Sequence, residues 1–293
     1  MADKMQLKSY AKINLLLDVL GKYKTGYHQV KMVMQTIDLY DKLYFSKLET
    51  GIKIECNHPA VPVGAENLIY QAAELLMNKF DVQGGLEVTV EKNIPVAAGL
   101  AGGSSNAAAT LIAVNELWDL GLSATELEKE AAKLGADVPF CLEGGTQLAT
   151  GTGTELEKLD LNPKLNLVVV NPPFEIATAD IYNNFALDKI EHHPQVEKLL
   201  KALKEGNYTD ILANLENLLE LVAINRYPKV EEIKKIVAQE TDQALMSGSG
   251  PTVLGFVSSK SEAKAKVDSL KSQLSDDYKI VNAATVNAGV ESF

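Results

Sequence analysis

Between Pro95 and Ala107 the chain reads Pro95-Val96-Ala97-Ala98-Gly99-Leu100-Ala101-Gly102-Gly103-Ser104-Ser105-Asn106-Ala107, three glycines and two serines within a run of small residues. A turn of this kind at the start of a helix exposes a row of backbone N–H groups, which can hold phosphate. Glycine lets the backbone approach a ligand closely, and serine hydroxyls can donate to phosphate oxygens or ligate a metal. Taken alone, the run reads equally as a plain strand-to-helix turn. It matches neither common phosphate fingerprint. No G-x-x-x-x-G-K-[ST] segment is present, and the pairs Gly151/Gly153 and Gly248/Gly250 lack the third glycine of G-x-G-x-x-G. Protein-kinase segments of the H-R-D and D-F-G type are missing as well.

Three further segments carry polar groups in apolar surroundings. In Tyr10-Ala11-Lys12-Ile13-Asn14-Leu15, strand alternation puts Ile13, Leu15 and Leu17 on one face and Lys12 with Asn14 on the other. Such a pair can face a polar pocket, although a strand lysine is more often solvated at an edge. The turn Gly21 to Gly26 ends in Tyr27-His28, an aromatic and an imidazole that would ordinarily be a packed ring and a surface histidine. In Gly135-Ala136-Asp137-Val138-Pro139-Phe140-Cys141, Asp137 is an acid in an apolar stretch, where a helix cap is the simple alternative.

The elements that must position these groups are legible around them. Leu86, Val88 and Val90 alternate with Glu87, Thr89 and Glu91, a half-buried strand entering the glycine run. Beyond it, Ala108, Leu111, Ile112, Asn115 and Trp118 follow helical spacing, with Gly121 as a stop. Ser123 and Glu126 form a capping box for the helix that leads to Asp137. A break near Leu156–Lys164 divides the chain into domains 1–160 and 161–293. Past the break, a strand at 165–170 precedes helices near 195–204, 208–222 and 229–239. Two strands joined at Ser247–Pro251, a helix near 260–273 and a strand near 279–286 complete a ferredoxin-like β-α-β-β-α-β order with extra helices in its first crossover.

The chain has 293 residues, 46% apolar and 23% charged, with a net charge of −11, ample for a packed core. That charge, without a lysine-rich stripe, argues against nucleic acid as a partner, and it requires an anionic ligand to be caught by local donors. Cys56 and Cys141 are far apart and fit reduced thiols, and no segment reads as a membrane span or signal peptide. The expected location is cytoplasmic, with no membrane partner. His192-His193-Pro194 reads as a surface loop rather than a metal site.

Taken together, Ala11-Lys12-Ile13-Asn14-Leu15, Gly26-Tyr27-His28, Met34 to Leu39, the Pro95–Ala107 run and Gly135 to Cys141 resemble the GHMP kinase superfamily. Gly144-Gly145-Thr146, Ala149-Thr150-Gly151, Asn217/Glu220 and Met246 to Val253 continue the resemblance in order, from about Leu7 to Phe256. It implies an α+β, two-domain GHMP kinase fold: a ribosomal-S5-like N-terminal domain, a ferredoxin-like C-terminal domain and a site in the cleft between them. Gly26-Tyr27-His28 with Asp137-Val138-Pro139-Phe140 narrows the resemblance to kinases that phosphorylate the 2-hydroxyl of a cytidine diphosphate-linked methylerythritol.

By that resemblance, residues Pro95, Val96, Ala97, Ala98, Gly99, Leu100, Ala101, Gly102, Gly103, Ser104 and Ser105 hold the ATP phosphates, with a helix dipole starting near Ser104. Ser105 would ligate Mg²⁺, Asp137 would orient the attacking hydroxyl and accept its proton, and Lys12 would stabilise the developing charge. Asn14, Tyr27, His28, Tyr182, Ser247 and Gly248 would contact the acceptor, Tyr27 and Tyr182 as stacking rings. A monomer or weak homodimer is implied. Tyr23, Thr25, Thr152 and Thr154 stand where charged residues are usual, which removes charge from the acceptor side. A kinase for another small alcohol (mevalonate or homoserine) and a non-catalytic nucleotide-binding paralogue are the competing readings.

Overall fold

The structure, a computed structural model, describes residues 3–293. Its frame is a pair of long strands, β1 (Lys4–Lys22) and β2 (His28–Leu48), antiparallel along nearly their full length. Both are rich in branched and aromatic residues, and β1 is buried from Ser9 to Val19. β3 (Gly51–Cys56), β4 (Gly85–Glu91), β5 (Thr146–Thr150) and β6 (Glu155–Leu159) extend this sheet. Helices α1 (Leu68–Lys79), α2 (Gly102–Leu117), α3 (Ala124–Leu134) and α4 (Val138–Glu143) belong to the same half of the chain. The capping box of α3 forms as expected, Ser123 and Glu126 satisfying each other's orphan N–H groups.

The strand alternation read from the sequence fails at one place that matters. A bulge between Asn14 and Leu16 shifts the register of β1 against β2. Ile13, Leu15 and Leu16 stay in one apolar cluster, but Leu17 passes to the other side and joins Val30 and Met32 in the second cluster. Lys12, Asn14 and Leu17 therefore share the functional face.

The C-terminal half contains β7 (Asn166–Asn171), α5 (Thr178–Asn183), α6 (Val196–Glu205), α7 (Tyr208–Ala213), β8 (Glu216–Asn217), α8 (Glu220–Arg226) and α9 (Pro228–Glu240). β9 (Gln243–Met246), β10 (Val253–Val257), α10 (Lys260–Gln273), β11 (Lys279–Ala284) and β12 (Val290–Ser292) follow. Its antiparallel sheet has the order β11-β7-β10-β9, the ferredoxin-like arrangement. The single helix expected over 208–222 is broken: residues 216–217 leave helical geometry to pair with Leu16 and Leu17 of β1. Asn217 makes the break permanent. Its amide donates to the Met246 and Gly248 carbonyls at 2.8 Å each and accepts the Leu219 N–H at 3.0 Å.

The expected border at 160/161 is also crossed. β8 and β12 both join the first sheet, β12 pairing with Leu7–Ser9 of β1. Two segments that the sequence marks, Met34 to Leu39 and Gly144 to Thr146, prove to be the clamp for this return. Gln35 donates to the Thr36 and Val286 carbonyls and accepts from Thr146, while Thr36 bonds Gly145 through backbone and hydroxyl. Cys56 and Cys141 are free thiols. Among the described residues no helix is long and apolar enough to cross a membrane. His192 and His193 sit on the surface and hydrogen-bond Glu216 and Asp18 at 2.7 and 2.8 Å.

Candidate active site

The glycine run lies between β4 and α2 and supplies the first residues of α2, and its backbone is unusual. Ala97, Gly99 and Ala101 all have positive φ, at 50°, 74° and 55°. Alternating left-handed residues curl a chain so that successive N–H groups face one concavity, the arrangement that binds anions. The helix starts at Gly102, two residues earlier than expected. Its cap, Ala101, makes no side-chain hydrogen bond, so no side chain competes for the first helical amides. Two contacts fix the curl: the Lys12 N–H donates to the Leu100 carbonyl at 3.1 Å, and the Ser247 hydroxyl donates to the Gly99 carbonyl at 3.1 Å. β1 and the 247–250 turn thus grip the loop from opposite domains.

A cavity of about 820 Å³ opens beside it, lined from both halves of the chain. Pro95 to Gly99 and Ala101 to Ser104 face this space. Leu100 does not; it is fully buried and anchors the loop in the core. Ser105 does not reach it either. Its hydroxyl is buried and donates to the Tyr10 carbonyl at 2.7 Å, so the expected metal ligand is spent on holding α2 against β1.

Lys12 is only 5% exposed, and its ammonium donates to the Asn14 Oδ1 at 2.9 Å and lies 3.7 Å from the Asp137 Oδ2. Asp137 occupies the cap position of α4, yet its carboxylate makes no capping bond. The side chain instead points to the cavity and its ammonium neighbour. Asn14 completes the row, its Nδ2 donating to the Met32 sulfur at 3.4 Å. A buried cation, a half-buried carboxylate and an amide therefore stand side by side, across from a concave row of N–H groups.

The residues expected to contact the acceptor converge only in part. His28, Tyr27, Tyr182 and Gly248 line the cavity. The His28 ring lies 5.1 Å from Tyr182 at 36° and 6.2 Å from Phe185 in an edge contact. Tyr27 lines the same cavity with 69% of its surface exposed. Tyr182 rides on α5, which Arg226 and Tyr227 anchor by bonding Asp180 at 2.8–2.9 Å. Ser247 is fully buried and away from the cavity wall, so its role is to tie the turn to Gly99; Gly248 and Ser249 form the wall in its place.

The sequence reading missed Lys92 and Asn67, both cavity-lining and both buried. Neither carries a local signal: Lys92 is the residue after β4, and Asn67 caps α1 by accepting the Ile69 N–H at 2.8 Å. Thr152 and Gly153 also reach the cavity.

Burial, with help from the Lys22 charge, pushes the His28 imidazole below its ordinary value of 6.5. A group held neutral in this way supports the fold above the unfolded pKa, and that support is lost as pH falls through the lower folded pKa. Thermal melts should accordingly show a decline in Tm below about pH 6.5, partly flattened in His28→Gln. An identical profile in the variant would acquit His28.

A curled amide loop before a helix, set across from a buried ammonium and a free carboxylate in a cleft between two α+β domains, is the apparatus of a small-molecule phosphotransferase. Comparison with known proteins agrees. The family model for the GHMP kinases N terminal domain matches residues 67–145, and that for the GHMP kinases C terminal domain matches 199–276. The chain is 44% identical over 277 residues to the 4-diphosphocytidyl-2-C-methyl-D-erythritol kinase of Clostridium botulinum (strain Eklund 17B / Type B), covering 94% of this chain and 98% of that one. A crystal structure of a 4-(cytidine 5'-diphospho)-2C-methyl-D-erythritol kinase superposes with a TM-score of 0.82 at 30% identity, covering 96% and 99% of the two chains. Homoserine kinase from Cytophaga hutchinsonii shares the fold, with a TM-score of 0.78 at 18% identity over 100% and 98%. The chain belongs to the GHMP kinase family, in its 4-diphosphocytidyl-2-C-methyl-D-erythritol kinase branch.

Proposed function

We propose that this kinase transfers the γ-phosphoryl group of ATP to the 2-hydroxyl of 4-diphosphocytidyl-2-C-methyl-D-erythritol. The observation that carries the proposal is the Lys12–Asp137 pair, 3.7 Å apart, in a cavity walled by the glycine loop and by the His28–Tyr182 rings. Phosphoryl transfer asks for positioning and charge neutralisation more than for covalent work. The loop amides of 96–99 and 101–104 hold the polyphosphate. Asp137 orients the attacking hydroxyl and takes its proton, and Lys12 stabilises negative charge on the hydroxyl oxygen and the moving group. Asn14 keeps the Lys12 ammonium in place while bonding the polyol end. Tyr27, His28 and Tyr182 offer π-faces and a ring edge to cytosine.

Among the described residues no cluster of three acidic, histidine or cysteine side chains could cage a metal. Oxygen groups do line the cavity, among them the Ser104 hydroxyl and, as its two carboxylates, Glu66 and Asp137. Such a sparse, hard donor set suits Mg²⁺ that keeps waters and phosphate ligands. Bound there, Mg²⁺ would neutralise phosphate charge. The two free thiols fit a reducing, cytoplasmic compartment, and a monomer or weak homodimer is part of the proposal.

Coupled ADP release with ATP and Mg²⁺ tests the acceptor. Turnover with the cytidylyl substrate, and none with mevalonate or homoserine, is the expected result. Turnover with another alcohol would reassign the acceptor, and ATP binding without any turnover would point to a non-catalytic paralogue.

A further inference from the structure

Asp41, in β2, takes no part in the chemistry described above, yet its side chain is fully buried and satisfied by four donors. Its Oδ1 accepts the Asn93 N–H at 2.6 Å and the Ile94 N–H at 2.8 Å. Its Oδ2 accepts the Asn106 side-chain amide at 2.9 Å and the Lys92 ammonium. The donors stand on both sides of the glycine loop. Lys92, Asn93 and Ile94 lead directly into Pro95, whereas Asn106 lies in the second turn of α2. Asn106 also donates to the Ser9 hydroxyl at 2.8 Å, which carries the tether on to β1. One carboxylate therefore bridges the entry and the exit of the loop.

Stability alone does not call for this design. Burying an ion pair costs desolvation that its attraction only partly offsets, and apolar residues of the same volume usually serve as well. What a carboxylate adds is geometry, because two backbone N–H groups and two side chains must converge on it. The Lys92 ammonium is correspondingly pinned beneath the helix start, where a Cβ at Gly102 would stand 2.7 Å from its Nζ.

We propose that Asp41 is a positioning residue for the phosphate loop. It sets the separation between Ile94 and the first turns of α2, so that the curled amides are preset before nucleotide arrives. The inference rests on the assignment of that loop to the ATP phosphates.

The test is ATP affinity by calorimetry, together with KM for ATP and for the acceptor, in the wild type and in Asp41→Asn at a temperature well below both melting points. Asparagine keeps an acceptor for Asn93 and Ile94 but turns an NH₂ toward Lys92 and Asn106. The expected result is a ~10- to 100-fold weaker ATP Kd and a matching rise in KM for ATP, with KM for the acceptor within about twofold. A lower Tm with both KM values and the ATP Kd unchanged would reduce Asp41 to a structural residue and overturn the inference while leaving the loop assignment intact. Failure of the wild type to bind ATP would overturn both. Should Asp41→Asn not fold, Asn106→Leu removes the α2 tether, its bonds to Asp41 and Ser9, and leaves the Lys92, Asn93 and Ile94 donors on Asp41. It is expected to weaken ATP at least ~5-fold, and an unchanged Kd there would equally overturn the inference.

Discussion

Asp137→Asn is expected to lower kcat roughly 10²- to 10⁴-fold, the range for loss of a positioned proton acceptor. Asparagine preserves volume and one acceptor oxygen but cannot take a proton, and it no longer carries the charge that faces the Lys12 ammonium 3.7 Å away. Affinity for ATP should change little, because the loop is held by Leu100, Gly99 and their partners and not by Asp137. Lys12→Met should fall in the same range. The two losses should not add in the double variant, since the side chains act as one unit. Steady-state kinetics with ATP binding measured in parallel checks this, and near-full turnover in Asp137→Asn would remove it from the reaction.

Gly99→Ala is expected to disable nucleotide capture instead. At Gly99 φ is 74°, and an added Cβ would stand 2.2 Å from the Ser247 carbonyl oxygen and 3.2 Å from that of Gly250. Both are backbone atoms in a turn that Asn217 holds rigidly, so the loop must move. A shift of about 1 Å at a preset site costs on the order of 10²-fold in kcat/KM, and the left-handed backbone adds about 1–2 kcal/mol of strain with alanine. The loss should appear mainly in KM for ATP. Gly103→Ala should leave the fold intact, because its Cβ would meet no protein atom closer than the Leu68 side chain at 3.7 Å. Equal ATP kinetics in wild type and Gly99→Ala would mean that the turn yields and the curl is not preset.

Much of this site was legible in the sequence, for identifiable reasons. The glycine loop announces itself by composition, and Lys12 and Asp137 stand out as charges within apolar runs. The ferredoxin-like half follows from strand and helix order alone. What escaped depends on long-range pairing. The bulge after Asn14 moves Leu17 to the functional face, and nothing local encodes it. The two-residue β8 interrupts a good helical period only because β1 offers a free edge there. Ser105 and Ser247 carry hydroxyls in the right motifs, but each is captured by a neighbouring carbonyl that only the fold supplies. Asp41 and Lys92 carry no local signal in the sequence, and only the tertiary structure buries them together.

The central claim is that the Lys12–Asp137 pair directs phosphate from nucleotide on the glycine loop to the cytidylyl-linked alcohol. The most direct measurement is a single-turnover reaction with ATP labelled in its γ-phosphoryl group, Mg²⁺ and 4-diphosphocytidyl-2-C-methyl-D-erythritol. Label should pass to the acceptor as a new phosphomonoester with wild type, and roughly 10²- to 10⁴-fold more slowly with Asp137→Asn. Label passing to water, or reaching the acceptor equally fast in both proteins, would contradict it.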